Sequence, residues 1–513
     1  MYREQSLPII NPATGERLGT VPVVSPEEVP GAVHAGRKAF VEWCQVPLAE
    51  RLKALGCLRQ CILDNIDVIV DKICINTGKT RMDALTAEIL STVDIIKFYE
   101  QHAPVFLSKQ KVKTPWLLWG KKSYVEYKPM GVVAVIAPWN YPFNLAVVPA
   151  ISALAAGNVV ILKPSEVAPL VGLLVEDLFR QAAFPSGVIQ VLHGGGEVGQ
   201  ALVQAGPDKI FFTGSAATGK QIMAAAAEQL IPVQLELGGK DAMVVLADAP
   251  LERSVNGVLW GGFTNSGQVC MAVERLYVEA DVYSEFLDRL LARINTLRQG
   301  SGKDGELGHM TDPRQLEVID AHLRDAVAKG AKIICGGLPS DAADSMLVPP
   351  TVVVDVDHSM KLMREETFGP IIAVMEFKDR NEVVELVNDS EYGLSTSIWT
   401  RDLNQAQAVA SQLITGNVVV NDIMVNFANP YLPFGGVKSS GMGEYHAAEG
   451  LYAFCHATSV IVDRGIRVNE LQWYPYSAEK YEHFKNLIRS LYGRSSKLLQ
   501  AVVSAVRLYT YKP

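Results

Sequence analysis

The sequence predicts an α/β protein built on a parallel sheet with helices on both faces. Three observations carry this. Between residues 131 and 237, short apolar runs alternate with segments of helical length and spacing. Runs separated by helices need crossover connections, and these make the sheet parallel and cover it. With 513 residues the chain also exceeds one ordinary domain, so two or three units are expected.

Taken in order, residues 26 to 104 read as mostly helical. Leu55, Leu58, Ile62, Ile66 and Ile69 recur at spacings of three and four, and Val33 and Phe40 stand two turns apart. Between Lys109 and Lys128 the texture changes, as Lys111, Lys113, Lys121 and Lys122 interleave with Trp116, Trp119, Tyr124 and Tyr127. This predicts a two-stranded excursion, either a solvated hairpin or an arm that pairs with another subunit. Strands are then expected at 131–137, 159–162, 188–192, 210–212 and 233–237, and helices at 143–156, 170–183, 199–205 and 218–227.

Composition narrows the class. A formal charge of −8 argues against general nucleic-acid binding, which needs a basic face. The seven cysteines are odd in number and form neither a disulfide framework nor a metal site. Cys57 and Cys61 stand four apart, but no second pair completes them. Reduced thiols in a cytoplasmic protein, with no metal, are expected. The first residues lack the basic and apolar regions of a signal peptide. No apolar run reaches the ~18 residues of a membrane span.

Ligands of parallel sheets sit beyond the carboxyl ends of the strands. The loops there read Pro138-Trp139-Asn140-Tyr141-Pro142, Lys163-Pro164-Ser165-Glu166, His193-Gly194-Gly195-Gly196 and Thr213-Gly214-Ser215. The last opens a helix whose N-terminus favours an anion such as pyrophosphate. Glu166 can accept from ribose hydroxyls, and Lys163 can donate to the same nucleoside. Each loop alone is as well read as a plain turn. Glu236 ends the last strand, and Cys270 follows Asn265-Ser266-Gly267-Gln268-Val269. A lone Cys is usually a small buried hydrophobe, and a strand-end Glu a solvated cap. Together they fit a nucleophile and a general base, with the Asn140 amide as an oxyanion donor.

At these residues the sequence resembles the NAD(P)-dependent aldehyde dehydrogenase superfamily. Leu235-Glu236-Leu237-Gly238-Gly239-Lys240 resembles its glutamate motif and Gly267-Gln268-Val269-Cys270 its cysteine motif. Glu365-Glu366-Thr367-Phe368-Gly369-Pro370, Pro433-Phe434-Gly435-Gly436 and Asn11-Pro12-Ala13-Thr14-Gly15 follow the family order. The resemblance runs from about residue 8 to about 462. It implies a Rossmann-type dinucleotide-binding domain (1–110 and 130–238), an α/β catalytic domain (239–440), and a small β oligomerisation arm with its bridging segment (111–129 and 441–463). A C-terminal extension, 464–513, lies beyond the common core.

The resemblance also implies the chemistry. Cys270, Glu236, Asn140 and Lys163 would be catalytic. Ile136, Pro138, Trp139, Lys163, Ser165, Glu166, Gly195, Gly199, Phe212, Gly214, Ser215, Leu237, Gly238, Glu366 and Phe368 would hold NAD, with NADP also admitted. Glu366 and Phe368 would meet the nicotinamide end, and Lys163 and Glu166 the adenosine ribose. An aldehyde is the implied substrate and a homodimer or homotetramer the implied assembly. Two other enzyme readings use the same cysteine, a coenzyme-A-acylating relative and a hydrolase. Glu236 argues against the first, and NADH formation would exclude the second. A non-catalytic protein on this fold would not need Cys270, Glu236 and Asn140 together.

The implied entrance is mostly apolar: Tyr141, Asn144, Leu145, Val148, Thr264, Val269, Met271, Phe427 and Phe434. It holds no Lys or Arg for a second carboxylate, which favours aliphatic or aromatic aldehydes. The extension is basic, with nine Lys/Arg and three Glu for a net +6, leaving −14 on residues 1–463. Residues 478–492 have helical spacing, with 481, 484, 488 and 491 or 492 on one face. The run 498–506 is too short to cross a bilayer. Two readings stay open for this tail: packing across a subunit, or a weak peripheral membrane contact.

Overall fold

The computed structural model describes residues 6–300, 305–337, 346–493 and 498–510. It forms two compact units, Met1–Leu107 with Lys128–His456 and Ser108–Tyr127 with Ala457–Pro513. The chain opens on an antiparallel pair, β1 (Ser6–Ile10) and β2 (Arg17–Pro22). Helices α1 (Val29–Trp43), α2 (Leu48–Asp64) and α3 (Ile66–Thr77) follow. The apolar stripe read through 55–69 is broken at Asn65, whose amide donates to the Cys61 carbonyl (2.8 Å) and ends α2. A single turn, α4 (Arg81–Asp83), a π-helical stretch at Ala84–Leu90 and α5 (Ser91–Phe106) complete the helical region. Next come β3 (Gln110–Val112) and β4 (Lys122–Pro129).

The alternation then follows as β5 (Val132–Ile136), α6 (Asn144–Ala156), β6 (Val159–Lys163), α7 (Pro169–Gln181), β7 (Ile189–Val191), α8 (Gly196–Gln204), β8 (Lys209–Thr213), α9 (Ala216–Ala227) and β9 (Val233–Glu236). The parallel sheet runs β9-β8-β5-β6-β7, its central strands wholly buried. A sixth strand, Gly441–Met442, lies antiparallel to β9 and sets Gly441 opposite Glu236. A Cβ on Gly441 would stand 2.5 Å from the Leu235 carbonyl, so only glycine allows this approach. Residues 441–456, expected to bridge to the arm, therefore belong to the larger unit. The second sheet has seven strands, in the order Lys332–Cys335, Thr351–Val354, Ile371–Phe377, Val273–Glu279, Asp241–Val245, Ser395–Trp399 and Asn417–Val420. All are parallel except the outermost Lys332–Cys335.

In the smaller unit Cys455–Val462, from the segment that the resemblance assigned to the arm, joins the two-stranded excursion of β4 and β3 as a third strand. Lys121 ties the arm to the extension through Asp463 (2.7 Å) and Glu470 (2.9 Å). The extension forms two helices, Ala478–Tyr492 and Leu498–Thr510, around Leu471, Leu487, Ala501, Ala505 and Leu508. The first has the expected limits but a different inward face. Phe484, Leu487 and Leu491 pack inward, while Tyr481, Ile488 and Tyr492 are exposed. Leu487 sets the face because it seats against the second helix, which the spacing within one helix does not reveal. No helix among the described residues is long and apolar enough to cross a membrane. Arg494, read as part of the basic tail, lies outside the described residues.

Candidate active site

The turn before Cys270 is strained. Asn265, Ser266 and Gly267 take φ of +48°, +56° and +71° in succession. For the two non-glycine residues this costs about 1–3 kcal/mol each. Hydrogen bonds hold the turn: Ser266 Oγ donates to the Gly308 carbonyl (2.9 Å), and Asn265 Nδ2 to the Asn140 carbonyl (3.1 Å). Gln268 bonds the Asn265 carbonyl (2.9 Å) and accepts from Thr311 N–H (2.8 Å). A Cβ on Gly267 would stand 2.1 Å from the Gly369 carbonyl oxygen, so the motif glycine is a steric requirement. The turn leaves Cys270 half-buried. Burial, and then the carboxyls of Asp241, Glu366 and Glu236, push its thiol pKa well up.

Glu236 ends β9 and is buried. Its Oε1 takes only a long bond from Gln234 Nε2 (3.5 Å), and its Oε2 has no partner. Burial raises its pKa well above the usual carboxylate range, and Glu444 adds to the shift. A buried carboxyl oxygen left unsatisfied calls for a function, and a raised pKa suits a base acting near neutrality.

Asn140 stands in the loop after β5, its Nδ2 donating to the Gln268 carbonyl (3.0 Å). Its own carbonyl accepts from Lys79 Nζ (2.7 Å). Lys79 forms a fully buried ion pair with Glu88 (2.6 Å), which lies in the π-helical stretch. The other Glu88 oxygen accepts from Phe143 N–H (2.7 Å). Lys79, Glu88, Gln268 and Thr311 thus fix the Asn140 loop; sequence reasoning met Gln268 only as part of the cysteine motif and passed over the other three. The only signal for the ion pair was two charges in a helical region, which solvated helix faces also show.

The strand-end loops converge on a cavity of about 710 Å³. It is lined by Ile136, Pro138, Trp139, Lys163, Ser165, Glu166, Gly199, Phe212, Gly214 and Ser215 among others. Gly196 and Gly199 have open space where a Cβ would stand, so the floor is bare backbone at the start of α8. Ser215 caps α9 by accepting from Thr218 N–H (3.3 Å). Two helix N-termini and a floor without side chains fit a dinucleotide pyrophosphate. Lys163 donates to Glu166 (2.6 Å). Burial would raise Glu166, but Lys163 outweighs it and holds the carboxyl below its usual range. Lys163 thus lines the cofactor cavity, paired with Glu166. Arg314, which sequence reasoning did not single out, also reaches the cavity, braced by Asp312 (2.9 and 3.0 Å).

Gly195 is the N-cap residue of α8, beside this cavity. Leu237, Gly238, Glu366 and Phe368 lie outside its lining, and the Glu366 carboxyl is close enough to Cys270 to raise its thiol pKa. Glu366 accepts from Gly239 N–H (3.1 Å), and a Cβ on Gly238 would stand 2.1 Å from its Oε2. Burial and the Glu274 charge raise the Glu366 pKa to about 8. Phe368 sits at φ +54° with its ring edge-on to Trp139, centroids 5.4 Å apart. Glu274, buried against Lys240, accepts from the N–H groups of Thr367 (2.9 Å) and Phe368 (2.8 Å) and sets this loop.

Of the expected entrance residues, Leu145, Val148, Val269, Met271 and Phe434 are buried. Phe427 packs edge-on to Phe434 (5.1 Å) and near Tyr445 and His446. Asn144 is different. Its amide donates to Ser91 Oγ (3.0 Å) and Thr92 Oγ1 (2.9 Å) of α5, so its donors serve the helix wall. Both ring nitrogens of His446 are buried without partners, and burial takes its pKa down to about 3. Among the described residues no group of three or more side chains could hold a metal ion.

A cleft suited to a dinucleotide, in the same unit as a cysteine that feels the charge of an unsatisfied carboxyl, fits a nicotinamide-dependent dehydrogenase with a thiol nucleophile. Residues 2–460 match the aldehyde dehydrogenase family, and the chain belongs to it. It is an NAD(P)-dependent enzyme that oxidises an aldehyde to the acid through a cysteine thioester. One similar protein is 4,4'-diapolycopene aldehyde oxidase from Methylomonas sp., 45% identical over 490 residues, covering 95% of this chain and 92% of the relative. Among solved structures, an NADP-dependent enzyme of E. coli shares 30% identity at TM-score 0.86, covering 90% of this chain and 95% of that one. Betaine aldehyde dehydrogenase of Staphylococcus aureus in complex with NAD+ shares 31% identity at TM-score 0.85, covering 93% and 94%.

Proposed function

We propose that the chain oxidises a long apolar aldehyde, in the class of polyene aldehydes, with Cys270 as nucleophile and Glu236 as general base. The observation that carries the chemistry is the buried Glu236 carboxyl, whose Oε2 has no partner and whose charge is felt at Cys270. Cys270 attacks the aldehyde carbon, and the Asn140 amide holds the oxyanion. NAD, when bound, supplies the hydride acceptor. Glu236 then takes a proton from the water that hydrolyses the thioester and frees the acid. Lys163 and Glu166 hold the adenosine ribose, Ser215 and the start of α8 the pyrophosphate, and Glu366 and Phe368 the nicotinamide end. The Glu166 carboxylate favours NAD over NADP.

The substrate class rests on the lining. Phe427, Phe434, Met271 and Val148, expected along the entrance, are apolar and partly aromatic, and no cation stands among the entrance residues to pair with a second carboxylate. The similarity to a diapolycopene aldehyde oxidase points the same way. The free state of all seven cysteines supports a reducing, cytoplasmic location. The three-stranded arm supports assembly as a homodimer or homotetramer, and the basic extension a weak peripheral contact with membranes. Initial rates of NADH formation on a series of aldehydes test the substrate class. The kcat/KM should climb with apolar length and be lowest for succinic semialdehyde. A maximum at the shortest aldehydes, or at the semialdehyde, overturns the reading.

A further inference from the structure

The charged residues that line the cofactor cavity are Lys163, Glu166 and Arg314. The first two belong to the end of β6 and the turn after it. Arg314 lies far along the chain, as the first residue of the helix Arg314–Ala328. A cation there faces the positive end of the helix dipole, so helix stability does not account for it. Asp312, itself buried, grips the guanidinium along one edge. Nε donates to both carboxylate oxygens (3.0 and 2.9 Å) and Nη2 to Oδ2 (2.5 Å). This fixes the plane of the fork and leaves Nη1 without a partner among the described residues. The side chain is 70% exposed, so a ligand in the cavity can reach that free edge.

Glu166 is the group that would repel a phosphate at this end of the cavity. It is already engaged, because Lys163 donates to it (2.6 Å) and the Arg314 charge is felt at its carboxyl. Two cations against one carboxylate leave the lining with an excess of positive charge. The pyrophosphate does not need that excess, since Ser215 and the start of α8 serve it with backbone and helix ends. On a nicotinamide dinucleotide the remaining anionic group is the 2′-phosphate that distinguishes NADP from NAD. A braced arginine fork with a free edge suits a phosphate.

We propose that Arg314 is the residue that admits NADP, its free Nη1 edge donating to the 2′-phosphate on the adenosine ribose. Cofactor choice is then a balance, with Glu166 favouring NAD and Arg314 opposing it across the cleft. The inference rests on the reading that Lys163 and Glu166 hold that ribose.

The test measures binding to the full chain by calorimetry, without turnover. Its probes are adenosine 2′,5′-bisphosphate and AMP, which differ only in the 2′-phosphate. Arg314→Gln should weaken the bisphosphate by about tenfold or more, and AMP much less. Arg314→Lys keeps the charge and should hold the bisphosphate within a few-fold of the parent, which separates the effect from misfolding. The NADP/NAD ratio of kcat/KM should fall in Arg314→Gln by a similar factor. Equal weakening of both probes would move Arg314 to the 5′-phosphate and overturn the proposal. So would an unchanged bisphosphate affinity, or a parent that neither binds the bisphosphate nor turns over NADP. Glu166→Ala tells the two readings apart. Tighter bisphosphate binding in that variant, with Arg314→Gln silent, refutes the role of Arg314 and keeps the ribose site. Both probes unchanged in Glu166→Ala would remove the ribose site, and this proposal with it.

Discussion

Cys270 is surrounded by groups that oppose its ionisation, since burial and three carboxyls favour the thiol. Glu236 likewise favours its protonated form. Activity should therefore rise with pH, as both reactive forms are the deprotonated ones. Cys270→Ala should abolish NADH formation and leave NAD binding intact. Glu236→Gln should slow turnover by about 10²–10⁴ while a first-turnover burst of NADH survives. A full steady-state rate in that variant would remove Glu236 from its role. His446 makes a separate prediction about stability. Its ordinary pKa is 6.5, and burial takes it to about 3 in the fold. The neutral ring is thus favoured by the folded state. Its contribution is complete above pH 6.5 and is lost as pH falls toward 3, at about 1.4 kcal/mol per pH unit. His446→Phe should flatten the fall of Tm across that window, and an unchanged slope would show that another group is responsible.

At the scale of elements, the π-helical stretch carries Glu88 to Lys79, and Lys79 to the Asn140 carbonyl. Glu88→Gln leaves a buried ammonium without its counter-charge and should cost about 3–5 kcal/mol, read as a fall in Tm. The double variant Lys79→Met with Glu88→Leu should recover most of that stability, because apolar replacement of both partners is tolerated. Its kcat should stay low, because the Asn140 carbonyl then lacks its Lys79 donor and the loop is held only from the Gln268 and Asn265 side. Recovery of both together would make the pair purely structural. The turn after β6 sets cofactor choice. Glu166→Ala should raise the NADP/NAD ratio of kcat/KM by about tenfold or more, as removal of a carboxylate beside a 2′-phosphate requires. An unchanged ratio would pass that role to another group, with Arg314 the first to examine.

For the whole molecule, the extension is part of a unit with the arm. Lys121 reaches Asp463 and Glu470, and Leu117 packs on the cluster formed by the two tail helices. A chain ending at Asp463 should lose this packing. A lower Tm and loss of vesicle binding are expected, with kcat/KM on short soluble aldehydes retained. A truncated enzyme equal to the parent in Tm, assembly and vesicle binding would deprive the extension of both roles.

Periodicity and turn chemistry alone determined the β5 to β9 alternation, because buried parallel strands and amphipathic helices write their period locally. The Glu236 and Cys270 motifs were legible through their resemblance to a known family, and the structure gives the physical constraint behind them. A turn that requires positive φ at Asn265, Ser266 and Gly267, and a strand end that must admit a close backbone, leave few residue choices. What only the tertiary structure decided lies between elements distant in sequence. Lys79 and Glu88 gained their meaning from Asn140. Arg314 reached the cofactor cleft from the far side of the larger unit's sequence. Gly441–Met442 joined the sheet beside Glu236 and left the bridge to the arm. The inward face of the first tail helix was set by Leu487 meeting its neighbour. Each is a pairing whose energy depends on burial and on a partner, and a linear spacing records neither.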